Sequence, residues 1–132
     1  MKLPEINETI TTGRGLELCQ HFGFDDLAAR IQDNTKQYKE WTFDGVSMAP
    51  DRLLKKLLRT PKLTEIALRH DLKYAYGRKG DKEEKMRADL ALQKELIAGG
   101  TSRIIAWLMF KAVVLYGQEH FQFRFSWAFA SQ

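Results

Sequence analysis

Apolar positions recur at helical spacing over residues 63–76 and again over 82–97, with Gly77 and Gly80 between them. The pattern predicts two helices joined by a tight turn, with Asp81 as the N-cap of the second. On the first helix Leu63, Ile66, Ala67, His70 and Tyr74 share a face, so a histidine stands in an otherwise apolar stripe. On the second, Met86, Asp89, Leu90, Gln93 and Ile97 do the same, which sets a carboxylate among apolar neighbours. Around a turn centred on Lys79, His70 lies nine residues before the midpoint and Asp89 ten after it. An antiparallel pair therefore brings the two level. Burying both is costly unless they pair, and once paired they make an oriented base with a fixed tautomer. The same contact also serves as an ordinary structural hydrogen bond. Asp71, one step on from His70, projects about 100° around the helix and is suited to hold a cation beside the base.

Elsewhere the patterning is more varied. Residues 1–13 read as an extended lead-in or a short strand, and 16–31 as one or two helices broken at Gly23. Residues 32–40 are polar and read as a continuation of that helix, ending before Trp41. Residues 41–50 have no helical period and contain the turn dipeptide Asp44-Gly45, closed by Pro50. Residues 51–59 form an amphipathic helix with Leu53, Leu54, Leu57 and Leu58 on one face and Arg52, Lys55, Lys56 and Arg59 on the other. It is read either as a surface helix packed on the core or as an element leaning on an anionic lipid surface. Residues 103–116 are strongly apolar, capped by Thr101 or Ser102 and ended by Gly117, and are expected to be buried. They fall short of the ~20 residues that a membrane span needs. From 121 to 129 aromatic residues alternate with others, predicting an extended segment whose aromatic face is core or interface.

Composition narrows the class. At 132 residues the chain suits a single domain with an ordinary core. One cysteine, Cys19, excludes an internal disulfide, and with His21, His70 and His120 scattered nothing suggests zinc. The first ten residues carry a lysine and two acids with no apolar core, so no secretory signal is expected and the chain is expected to be cytoplasmic as synthesised. The net charge of +4 resides in 51–62, where five cations face Asp51 alone. That cluster is short and has no interleaved aromatics, so no specific nucleic-acid partner is expected.

Taken together, Trp-Thr-Phe-Asp-Gly-Val-Ser at 41–47, His-Asp-x-x-Tyr at 70–74, Ala-Asp at 88–89 and Ser-Trp-x-Phe-Ala at 126–130 resemble the phospholipase A2 superfamily. The likeness is to its small bacterial and phage-borne members and covers roughly 41–130, leaving residues 1–40 without a counterpart. It implies a mainly α fold in which two antiparallel helices carry a His/Asp pair, with further packed helices and a short extended C-terminal segment. It implies a calcium-dependent lipid esterase acting on phospholipid at a membrane surface. His70 would be the general base, Asp89 its orienting carboxylate and Tyr74 a member of the same network, with Tyr76 a second candidate. Asp71, Asp44 and Gly45 would supply oxygens to Ca²⁺, a hard cation suited to carboxylate and carbonyl ligands. Phage association or delivery as an effector would reconcile lipid chemistry with the lack of a signal. Because some superfamily members bind partners without hydrolysis, a non-catalytic interaction module is the alternative.

Overall fold

Thr11 marks the first boundary: its side chain accepts a hydrogen bond from Arg14 N and caps α1, Thr12–His21. Before it runs β1, Glu8–Ile10, which pairs antiparallel with β2, Trp41–Phe43, in the register Glu8 to Phe43 and Ile10 to Trp41. This is a computed structural model, and it describes residues 1–45, 49–119 and 126–132. The fold is mainly α. After α1 come α2 (Asp25–Asp33), α3 (Asp51–Leu57), α4 (Leu63–Ala75), α5 (Lys82–Ala98) and α6 (Arg103–Tyr116). Helix α2 stops at Asp33 and a single 3₁₀ turn follows, so the polar stretch 34–40 does not prolong it.

Two apolar clusters flank the α4–α5 hairpin. Leu18 of α1, Ile31 of α2 and Phe43 of β2 close over Leu68 and Leu72 on one side of α4. On the other side Leu57 of α3, Ile66, Leu96 and Val113 of α6 pack together. Residues 1–40, which the sequence left without a role, thus build nearly half of the first cluster. Between the clusters Tyr74 packs on Ala88, Trp127 and Ala128.

Three expectations are corrected. On α5 the buried stripe is Ala88, Asp89, Leu92 and Leu96, whereas Met86, Leu90 and Ile97 are exposed. Helix α5 packs between α4 and α6, so its inward arc is set by two neighbours and not by its own most apolar residues. On α3 only Leu53 and Leu57 are buried, and Leu58 is 65% exposed just beyond the helix end. Helix α6 is not a buried helix, because Ile104, Trp107, Leu108, Leu115 and Tyr116 are exposed along it.

The expected extended segment at 121–129 lies partly outside the described residues. Over 126–130 the chain forms turns rather than a strand, and Ser126, Trp127, Ala128 and Ala130 are all buried. This turn latches onto the hairpin. Trp127 Nε1 donates to the Arg78 carbonyl at 2.6 Å, and Ala128 N donates to the Tyr74 carbonyl at 2.8 Å. The indole lies so close to Gly77 that any Cβ there would collide with the ring. Gly77→Ala is accordingly expected to cost about 1–3 kcal/mol through overpacking, read from denaturant unfolding. A loss under about 0.5 kcal/mol would mean that the latch yields freely.

Candidate functional site

The α4–α5 hairpin reverses at Gly80, which adopts φ +79°, and Asp81 Oδ1 accepts from Glu84 N at 2.9 Å to start α5. The reversal brings His70 and Asp89 together. His70 Nε2 lies 3.0 Å from Asp89 Oδ1. Tyr74, one turn beyond His70 on α4, donates its hydroxyl to the same oxygen at 2.5 Å and packs its ring 4.3 Å from the imidazole. An ionised carboxylate only accepts, so Nε2 carries the proton and the lone pair rests on Nδ1. No partner to Nδ1 is formed among the described residues. Asp89 is fully buried and His70 is 6% exposed. Burial first, then the charge and the hydrogen bond of Asp89, hold the Tyr74 hydroxyl protonated far above the ordinary phenol range. It is therefore a standing donor.

The other carboxylate oxygen has a partner that the sequence reading missed. Lys85 Nζ lies 2.7 Å from Asp89 Oδ2 and also reaches the carbonyls of Val113 and Val114 at 3.2 and 3.4 Å. It thereby ties α5 to the end of α6 and compensates the buried negative charge. Its signal was in the spacing, since Lys85 and Asp89 stand four apart on one helix face.

Tyr76 does not join this network. Its hydroxyl accepts from Trp41 Nε1 at 3.0 Å, within the cluster on the far side of α4. Two residues along a helix point nearly opposite ways, which separates it from Tyr74.

Asp71 is half-buried beside His70. Burial, and secondarily the charge of Asp44, push its carboxyl well above the usual carboxylate range. Asp44 follows β2, and Gly45 takes φ +78°, a conformation that glycine adopts without strain. Asp71 and Asp44 are near enough for like-charge repulsion, and carboxylate oxygens are the hard donors that suit a hard cation. Among the described residues no three His, Cys, Asp or Glu side chains gather in metal-holding positions, so carbonyls or water would have to complete such a site. The rest of the loop, 46–48, lies outside the described residues.

Arg52, Lys55 and Lys56 project from α3 and Arg59 from the turn after it, all exposed. A cleft of about 950 Å³ between α2 and the start of α5 mixes Arg30, Arg78 and Arg87 with Asp26, Asp33 and Glu84. His70 does not line it. No helix among the described residues is long and apolar enough to cross a membrane. Comparison with protein-family models, with curated proteins and with solved structures finds no match.

Proposed function

We propose that this chain is a lipid esterase of phospholipase A2 type, using calcium and a histidine-activated water to cleave an acyl ester of a phospholipid. The observation that carries the reading is the pairing of His70 Nε2 with an Asp89 oxygen at 3.0 Å, with Tyr74 donating to that same oxygen. The arrangement leaves Nδ1 as the basic atom. In the proposed reaction Nδ1 removes a proton from water as the water oxygen bonds to the acyl carbon. The tetrahedral intermediate then expels the glyceryl oxygen, which recovers the proton from His70, giving a fatty acid and a lysolipid. Asp89 keeps the ring oriented throughout, and Lys85 keeps the carboxylate from standing as an uncompensated buried charge. Asp71 and Asp44, with the Gly45 carbonyl, would hold the cation, which when bound would offset negative charge developing on the carbonyl oxygen.

The test combines turnover with binding. Purified protein is expected to release fatty acid from phospholipid vesicles with calcium and to stop when calcium is chelated. No release with calcium overturns the enzyme reading. Calcium should also raise the melting temperature, as any ligand of the folded state must. The sign for Asp71 adds a second readout. Because folding raises its pKa, its contribution favours the fold below the ordinary carboxylate pKa and is lost as pH rises through the raised value. At neutral pH without calcium, Asp71→Asn should therefore melt above the parent, and with calcium the order should reverse. Equal behaviour of the two chains would exclude Asp71 as a ligand.

A second reading has its own support. Asp89 meets His70, Tyr74 and Lys85 at once, so both oxygens of the buried carboxylate are satisfied without a substrate. A calcium-independent melting temperature, joined to no hydrolysis, would favour a non-catalytic interaction module of phospholipase A2 type.

A further inference from the structure

Helix α6 turns its smaller residues inward. Ala106, Met109, Ala112 and Val113 are buried, whereas Ile104 and Trp107 are 72% and 50% exposed and Leu108 and Leu115 follow them outward. Positions 104, 108, 111 and 115 succeed one another at steps of four, three and four, which makes a single stripe along the helix. An ordered row of large apolar side chains in water marks a surface that meets something. Alongside it α3 and α6 enclose an apolar groove of about 340 Å³, floored by Leu53, Ile105 and Ala112.

The charge around this face is one-sided. Arg52, Lys56 and Lys111 line the groove, and Lys55, Arg59 and Arg103 are exposed nearby in sequence. None of these six forms an ion pair among the described residues. Asp51 is the sole acid in α3 and α6 together. Lys111 interrupts the apolar stripe, yet its Nζ lies over the Trp107 ring at 5.8 Å, which keeps the cation on this face beside the exposed indole.

We infer that this face docks the protein on an anionic lipid bilayer, with α6 lying along the surface. Ile104, Leu108 and Leu115 enter the acyl boundary, Trp107 and Tyr116 sit at headgroup level, and the lysines and arginines meet lipid phosphates. A second copy of the chain is the less suited occupant, since it would set these cations against their own kind. The inference rests on the esterase reading only in choosing lipid as the anionic surface. Docking needs neither His70 nor calcium.

The experiment uses the full chain carrying His70→Gln, so that no lipid is consumed, in calcium-free buffer. Co-sedimentation is measured with vesicles of equal parts phosphatidylglycerol and phosphatidylcholine, and with phosphatidylcholine alone. Binding is expected to the anionic vesicles and to fall steeply with salt. Leu108→Glu with Lys111→Glu should lower partitioning about tenfold or more, and Arg52→Glu with Lys56→Glu should do the same through charge alone. Each altered site is exposed or at the groove rim, and unchanged melting checks the fold. Trp41 and Trp127 are buried, so a blue shift of tryptophan emission on binding should vanish in Trp107→Phe. Absent binding at low salt, or binding undiminished in both double variants, overturns the inference. So does a solution dimer that Leu108→Glu separates, since a second copy then covers the stripe. Docking without hydrolysis by the parent chain would leave this inference standing while the esterase reading falls.

Discussion

Replacing His70 with glutamine is expected to lower fatty-acid release by about 10²–10⁴-fold, the contribution of a positioned general base, while the protein melts near the parent temperature. Glutamine suits the test because its amide can still donate to Asp89 Oδ1, so the buried acceptor keeps a partner. What it lacks is a basic lone pair. His70→Ala would also vacate the space against the Tyr74 ring and mix a packing loss into the result. A glutamine variant within tenfold of the parent rate would remove His70 from the chemistry.

The second large effect is on stability. Asp89→Ala should cost about 3–5 kcal/mol, because it leaves the half-buried Lys85 ammonium without its counter-charge and strips the buried Tyr74 hydroxyl and the imidazole of their acceptor. In melting temperature that is on the order of 10 °C or more for a chain of this size. Pairing Asp89→Leu with Lys85→Met is expected to recover much of the loss, since an apolar pair of similar volume replaces an ion pair whose desolvation was never cheap. Hydrolysis should not recover with it. A single Asp89→Ala variant losing less than 1 kcal/mol would mean that the network relaxes or admits water freely.

The hairpin and its histidine–carboxylate contact were legible because the signals are local: two glycines, a capping aspartate and a spacing symmetric about the turn. The face of α5 was harder to read. Met86, Leu90 and Ile97 are more apolar than Ala88, and only the presence of α6 on the other side determines which arc is covered. The same helix misled in its own right, for hydropathy marks residues that prefer to leave water and is silent on whether anything covers them. Tyr76 is a second candidate only through the family resemblance, and a two-residue step from Tyr74 carries it to the opposite cluster. Nothing local announced that β1 would pair with β2 across some thirty residues, because such pairing depends on the intervening helices.

The turn at 126–130 bears on how the chain matures. Its indole seals the back of the Tyr74 ring at 5.2 Å and binds the carbonyl of Arg78, 49 residues earlier. A nascent chain that has emerged only as far as α6 already possesses the imidazole, the phenol and both charged partners of the cluster. It still lacks the clasp that backs them. The packing behind Tyr74 is therefore complete only once residues 126–130 are present, and a shorter product would carry the chemical groups without that brace.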